Sequence, residues 1–160
     1  VFSHDGNTRS PGASLPLVPD RGVPIVLLAH GGGMGDLQQA LVRFVLKEAA
    51  DVELAAPLAP VEGASGGDRS TQVGRYVRAS ATSVFEENGE TGLTLTVTNT
   101  SALAEVMESE PIVVDLLPVK EDVYVGKLPG ADNWTPFVFF DLEDGTRMVH
   151  YGARGTARLD

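Results

Sequence analysis

The chain has 160 residues, of which 42% are hydrophobic, and a formal net charge of −10. This length suits one ordinary domain or two small ones, and the apolar fraction is sufficient to build a core. The acidic balance disfavours binding to nucleic acid and to anionic membrane surfaces, and the absence of cysteine excludes disulfides and thiolate metal sites.

The first segment, residues 1–52, is predicted to begin with strands. Its opening residues, VFSHDGNT, carry a His-Asp-Gly step that we place on a first strand. Two further strands, Ser14–Val18 and Val23–His30, are joined by a Pro-Asp-Arg-Gly sequence that favours a hairpin turn. The stretch Ile25–Ala29 is apolar throughout, which predicts burial on both faces.

A helix is predicted to follow the glycine run at residues 31–35, with Asp36 as a candidate cap. Apolar residues then recur at helical spacing, which predicts a stripe that packs on the strands: Leu37, Leu41, Phe44 and Val45. The order of elements in the first segment is therefore strand, strand, strand, helix.

Two more segments follow. Residues 53–72 are rich in Pro, Ala, Gly and Ser without periodicity, which is typical of a linker. Residues 73–160 contain about seven short alternating runs separated by turn signals such as Asn88-Gly89 and Asp144-Gly145. The fold class is therefore predicted as α+β: an N-terminal β-β-β-α unit, then a mostly antiparallel β domain that is a small barrel or a sandwich.

The glycine-rich stretches of the chain contain two short motifs that also occur in enzymes. His-Gly-Gly-Gly at residues 30–33 and Gly-x-Ser-x-Gly around Ser65 are typical of α/β-hydrolase esterases. However, no apolar strand precedes Ser65 and no amphipathic helix follows it, so this alternative is the weaker one. The glycines at residues 31–35 also do not fit the Gly-x-Gly-x-x-Gly spacing of a dinucleotide-binding loop.

The histidines and the aromatic residues are the candidates for a metal site and a ligand site. The three histidines, His4, His30 and His150, are too scattered to predict a metal site, and no cofactor is implied. Trp134, Tyr151 and the aromatic run at residues 137–140 either line a ligand cavity or form the core of the β domain.

The His-Asp-Gly strand, the hairpin and the following helix together resemble the C-terminal end of serine β-lactamases and penicillin-binding proteins. The likeness is to the esterase-like, class-C-like branch, in which His-x-Gly replaces Lys-Thr-Gly. Residues 1–52 carry this resemblance, and the linker and β-rich remainder resemble the small lipocalin-like domain that several members append. The resemblance implies domains at residues 1–52 and 73–160, joined by a linker at 53–72.

The resemblance also implies roles for four consecutive residues. His4 would stand where the motif lysine stands, near the nucleophile. Asp5 departs from the usual Thr or Ser, and its carboxylate is expected to repel an acidic β-lactam. Gly6 would let substrate approach the strand, and the amide of Asn7 would be one oxyanion-hole donor.

The chain lacks the rest of that family's machinery. No Lys has a Ser three residues before it, and no Tyr is followed two residues later by Asn. We therefore expect the chain to be inactive alone, as the C-terminal fragment of a serine hydrolase that cleaves an ester, amide or peptide. Its partner would be the missing N-terminal catalytic region or a second copy of the chain, and exposed apolar strands predict self-association.

Two other hypotheses stay open. In the first, the chain is a non-enzymatic β-barrel or β-sandwich module for ligand binding or oligomerisation. In the second, residues 1–52 are a β-rich arm unrelated to any hydrolase. The longest apolar run, Val23–Ala29, is too short to span a bilayer. Arginine outnumbers lysine nine to three, which suggests a bacterial source, while the compartment, cytoplasmic or exported, stays open.

Overall fold

The computed structural model describes residues 1–7, 11–30, 34–101, 109–152 and 154–159. Its elements are mostly antiparallel strands, with a single α-helix in these ranges, so the predicted β-rich α+β class is confirmed. The chain divides into two compact units. The first comprises Val1–Ala56 with Gly130–Asp132, and the second comprises Pro57–Pro129 with Asn133–Asp160.

The first unit contains a small antiparallel sheet and one helix, whose bounds are β1 (Phe2–Asn7), β2 (Pro11–Val18), β3 (Val23–Pro24), β4 (Leu27–His30) and α1 (Met34–Ala50). The central strand, β2, pairs with β1 along one edge and with β3 and β4 along the other. The predicted order of strands followed by a helix is therefore confirmed, but the single strand predicted over Val23–His30 is divided into β3 and β4, so four described strands precede α1 instead of three.

The predicted turn between β2 and β3 is also confirmed. A single turn of 3₁₀ helix spans Pro19–Arg21, and Gly22 follows it in the left-handed region at φ 64°. The Gly22 N–H donates a hydrogen bond of 3.0 Å to the carbonyl of Pro19. Proline supplies the fixed φ that starts the turn, and glycine supplies the positive φ that ends it.

The face that α1 buries is not the one predicted. Val42, Leu46 and Ala50 are buried, together with Val18 and Ile25 of the sheet segment. The predicted stripe is largely exposed: 52% of Leu37 and 64% of Phe44 are accessible. The helix carries apolar residues on two adjacent faces, and spacing alone does not determine which face meets the sheet.

Only one face of the small sheet is covered. Along β2, residues alternate between buried positions such as Ser14 and exposed positions such as Leu15. Ile25 is buried as predicted, but Val26 and Leu28 are 66% and 74% exposed. The prediction that Ile25–Ala29 is buried on both faces was therefore wrong. Helix α1 packs on one face, and no other described element of the first unit covers the opposite face.

The second unit is one antiparallel sheet of eight strands within the described ranges. Its strands are β5 (Gly74–Arg78), β6 (Ala81–Asn88), β7 (Gly92–Asn99), β8 (Ile112–Lys120), β9 (Val123–Gly126), β10 (Thr135–Asp141), β11 (Arg147–Tyr151) and β12 (Arg154–Ala157). They pair in chain order from β5 to β12.

This sheet nearly closes on itself as a barrel. Tyr76 of β5 forms an isolated antiparallel bridge with Arg158, directly after β12. The Leu159 N–H adds a hydrogen bond of 2.8 Å to the carbonyl of Arg75. Eleven buried residues fill the interior, including Tyr76, Phe85, Leu95, Tyr124, Phe137 and Phe139. Of the two predicted architectures, a small barrel and a sandwich, the structure therefore has the barrel-like one.

The segment before β5 packs into the second unit. Gln72 is only 1% exposed, and its side-chain amide donates a hydrogen bond of 3.0 Å to the carbonyl of Gly66. The hydroxyls of Tyr76 and Tyr124 donate to the carbonyl and the side-chain oxygen of Gln72, each at 3.0 Å. Residues 66–72, which fall within the predicted linker, therefore lie against the sheet. Within the described chain, α1 is not long and apolar enough to cross a membrane.

Candidate active-site strand

The four residues of the candidate motif occupy β1. In the antiparallel register, His4 lies opposite Leu15 and Asp5 lies opposite Ser14. Because side chains alternate along a strand, His4 and Gly6 share the exposed face of the sheet, whereas Asp5 lies on the face that α1 covers. Asn7 ends the strand opposite Gly12, and its side chain is outside the described part of the structure.

Gln38 of α1 holds the motif strand to its neighbour. Its side-chain amide donates a hydrogen bond of 3.0 Å to the Asp5 carboxylate and one of 2.7 Å to the hydroxyl of Ser14. Ser14 is almost fully buried, so its hydroxyl needs this partner. Sequence reasoning missed Gln38, because a lone polar residue in an amphipathic helix carries no signal of what it contacts.

Packing does not require glycine at position 6. A Cβ built on Gly6 would meet only the Cβ of Ala13, at 3.7 Å, which is an ordinary van der Waals contact. Glycine in a strand interior weakens the strand, and it often marks a place where another chain or a ligand approaches the backbone. The imidazole of His4, on the same face, is exposed and makes no hydrogen bond within the described chain.

Strand β1 is an edge strand in the part of the chain that the structure describes. It pairs with β2 on one side, and no described strand pairs with its other side. Such an edge offers backbone N–H and C=O groups to an extended partner or peptide substrate. An exposed histidine and an unhindered glycine therefore lie beside an unpaired backbone edge, which makes β1 the candidate strand for substrate binding.

The alternative nucleophile, Ser65, has no elbow around it. It lies in an irregular segment, and the next regular element is a 3₁₀ turn at Arg69–Thr71. The neighbouring glycines have structural roles, because a Cβ at Gly66 would collide with the Tyr124 hydroxyl oxygen, and one at Gly67 would lie 2.9 Å from the Cγ of Glu121. The residues at 31–33 of the His-Gly-Gly-Gly motif lie outside the described structure.

The residues considered for a metal site or a ligand cavity lie elsewhere in the fold. In the described ranges, no group of three His, Asp or Glu residues converges on a position for a metal ion. Phe137 and Phe139 are buried in the core and contact other rings, with Phe139 centred 5.1 Å from Phe85, so they fill the sheet interior. Trp134 instead stacks with the Lys127 ammonium, 5.1 Å from the ring centre.

A buried polar cluster lies where residues 66–72 meet the sheet. Burial raises the pKa of Tyr124 to about 12, and burial also raises the pKa of Tyr76. Burial alone would lower the pKa of Arg147, but its hydrogen bond and ion pair with Asp122 raise it. These groups pair with one another and stabilise the sheet, which leaves the β1 motif as the candidate catalytic element.

No family model matches the chain, and no curated protein matches it in sequence. Two solved structures are similar in fold. One is a structure of SurE with D-Leu, with a TM-score of 0.60 and 22% identity, covering 98% of this chain and 35% of that chain. A second structure of SurE has a TM-score of 0.57 and 24% identity, covering 98% of this chain and 34% of that one. The chain spans about a third of the length of these structures, and at such identities the likeness shows the fold alone.

Proposed function

We propose that the chain is the C-terminal part of a serine hydrolase of the β-lactamase and penicillin-binding-protein type. In this proposal, β1 to α1 are the end of a transpeptidase-type sheet, and the second unit is a lipocalin-like accessory domain. The observation that supports it best is the motif strand itself. β1 presents His4 and an unhindered Gly6 on the exposed face of a strand whose other edge is unpaired in the described chain, and an acyl substrate bound along the backbone requires such an edge.

The reaction proposed for the longer polypeptide is acyl transfer. A serine outside this chain attacks the ester, amide or peptide carbonyl, the alcohol or amine leaves with a proton, and water then cleaves the acyl-serine. His4 would contact the reacting centre, and the Asn7 amide would donate to the developing oxyanion. One such donor typically contributes about 3 kcal/mol to transition-state stabilisation.

Asp5 has a different place in this proposal. Its carboxylate accepts a hydrogen bond from Gln38 on the face opposite His4. We therefore assign it a positioning role, holding β1 against β2 through α1, and we no longer expect it to repel an acidic substrate directly. One similar structure is of SurE with D-Leu, so acyl substrates that contain an amino-acid residue are the first to test.

The experiment is labelling of the natural polypeptide that contains this sequence with a fluorescent phosphonate that reacts with activated serines. We expect one labelled serine, in a Ser-x-x-Lys motif outside these residues, and no label on the 160-residue chain. His4→Ala should slow labelling by about tenfold to a hundredfold, whereas His150→Ala should not. A natural polypeptide that takes no label, or a label on Ser65, would contradict the proposal.

A binding or oligomerisation module is the second candidate function. It is favoured by one observation: the second unit has its own core and a nearly closed sheet. A polypeptide of residues 57–160 that folds cooperatively, together with a natural polypeptide that takes no phosphonate label, would favour this candidate over the hydrolase.

A further inference from the structure

The second unit contains a cavity of about 460 Å³ at one end of its sheet. Its walls come from the end of β5, the start of β6, the end of β7 and the start of β8, which antiparallel pairing brings to the same end. The lining residues that matter here are Arg78, Ser80, Ala81, Val97, Glu110 and Ile112. A cavity of this size, at one end of a nearly closed sheet, is a typical place for a small-molecule site.

The two ends of the sheet differ in how they are filled. The buried cluster of Gln72, Tyr124 and Asp122 lies at the end where β8 leads into β9. The cavity lies at the other end, where a hydrogen bond of 2.9 Å from the Thr100 N–H to the Ser80 carbonyl ties two strand connections together. The first end is therefore packed with paired polar groups, whereas the described residues at the second end line the cavity.

Arg78 is the unusual residue of this cavity. Its guanidinium carbon lies 5.2 Å from the centre of the Tyr151 ring, and its Nε is buried without a hydrogen-bond partner in the described chain. The Nε of Arg147 is also buried without a partner, but the guanidinium groups of Arg69 and Arg147 both pair with carboxylates, which that of Arg78 does not do in the described chain. In a chain of net charge −10, a half-buried arginine without a carboxylate partner among the described residues is suited to an anionic ligand.

Glu110 adds a second charge to the same cavity. It is exposed, and no ion pair joins it to Arg78 in the described structure. The lining of the same cavity also includes the apolar side chains of Ala81, Val97 and Ile112. The cavity therefore offers a cation, an anion and an apolar surface, which match a ligand with a carboxylate, an ammonium group and an apolar body.

We propose that this cavity binds a short apolar peptide with free ends, whose carboxylate pairs with Arg78 and whose ammonium group pairs with Glu110. Apolar side chains of the peptide pack against Val97 and Ile112. The guanidinium of Arg78 stacks on the Tyr151 ring, which restricts its orientation. The ring is itself held in place by a buried hydrogen bond of 2.5 Å between the hydroxyls of Tyr151 and Ser83. This proposal concerns the second unit alone and does not depend on the hydrolase proposal.

Three probes separate the contributions of the two charges: leucyl-leucine, its N-acetyl derivative without the ammonium group, and its C-terminal amide without the carboxylate. Binding to the full 160-residue chain is followed by backbone amide shifts in NMR titrations at millimolar concentrations. We expect leucyl-leucine to give saturable shifts around the cavity, the acetylated peptide to bind more weakly, and the amide to bind at least about tenfold more weakly.

Variants test the same assignment. Arg78→Gln should weaken leucyl-leucine binding by about tenfold or more, and Glu110→Gln should remove its advantage over the acetylated peptide. Arg75→Gln is the matched control, because Arg75 is an exposed arginine three residues earlier on β5. If Arg78→Gln does not fold, the three probes on the unmodified chain still decide the matter.

The proposal is overturned if no probe gives saturable shifts at the cavity, or if the amide binds as tightly as leucyl-leucine. Equal losses in Arg78→Gln and Arg75→Gln would also overturn it, because they would show a general effect of charge.

Discussion

The side-chain amide of Gln38 donates a hydrogen bond of 3.0 Å to the carboxylate of Asp5, which joins helix α1 to the strand that carries the candidate motif. The same amide donates to the buried hydroxyl of Ser14 at 2.7 Å. One side chain therefore connects β1, β2 and α1. The position of His4 relative to the helix depends on this connection, since β1 is an edge strand in the described sheet.

Replacing Gln38 by Leu should loosen β1. The change removes the partner of a buried hydroxyl, so we expect the free energy of unfolding to fall by about 1 kcal/mol. Amide hydrogen exchange in residues 3–6 should become faster than in β2, because β1 loses the hydrogen bond that the side chain of Gln38 on α1 donates to Asp5. The control is Gln39→Leu, at an exposed position of the same helix. Equal effects of the two variants would show that the Gln38 hydrogen bonds do not hold the strand.

The sequence predicted the elements of the first unit better than their packing. The Pro19–Gly22 turn follows from residue chemistry that acts locally, and it is confirmed. The prediction of which face α1 buries was wrong, because Leu37, Leu41 and Phe44 form as regular a stripe as Val42, Leu46 and Ala50. Which stripe meets the sheet depends on the direction in which the chain enters the helix, and periodicity does not contain that information.

The strands of the second unit were predictable for a physical reason. Leu93 and Leu95 of β7 are buried, while Thr94 and Thr96 on the opposite face are half-buried and Thr98 is exposed, which follows the alternation expected of a strand. Gly152, at φ 57°, splits the last predicted run into β11 and β12, so eight strands are described where seven runs were expected. Closure through Tyr76 and Arg158 could not be predicted, because it depends on the accumulated twist of the whole sheet.

The candidate site was also predicted from the sequence only in its local features. The His-Asp-Gly step was visible in the sequence as a local motif, and its strand is confirmed. The placement of Asp5 and His4 on opposite faces follows from alternation, but the contact of Asp5 with Gln38, 33 positions away, needed the structure. The cavity around Arg78 combines four strand ends, so it also lay beyond sequence reasoning.

Gly66→Ala should strongly destabilise the second unit. Gly66 has φ 69°, and an added Cβ would collide with the hydroxyl oxygen of Tyr124. We expect a loss of about 3 kcal/mol or more, from backbone strain together with displacement of a buried side chain. Gly63→Ala is a matched control, since φ is 77° there and nothing lies within 4 Å of the added Cβ. Gly63→Ala should lose only about 1 kcal/mol, measured by urea unfolding. Similar losses in both variants would contradict the predicted clash with Tyr124.

Stability should fall in alkaline solution because of Tyr124. Burial raises the pKa of this phenol in the folded state to about 12, above the ordinary value of 10 that it regains on unfolding. The folded state is therefore fully favoured below pH 10, and its stability falls by about 1.4 kcal/mol per pH unit as the pH rises from there toward 12. Urea unfolding between pH 9 and 12 measures it. Tyr124→Phe should be less stable at neutral pH, because it loses the hydrogen bond to Gln72, but its stability should decline less over that range. An equally steep decline in the Phe variant would assign the effect to other groups.

The uncovered face of the small sheet should make the isolated chain self-associate. Phe2, Val26 and Leu28 are each more than half exposed on or beside this sheet, and contiguous apolar surface of this kind favours association. We expect the apparent mass in light scattering to rise with protein concentration. Leu28→Lys should shift the chain toward monomer, because it replaces an exposed apolar side chain of this face by a charged one. Leu142→Lys is the control, since Leu142 is exposed in the second unit and adds the same charge elsewhere. A chain that stays monomeric at high concentration would contradict the prediction. If both variants dissociate the assembly equally, net charge governs association and the apolar face does not.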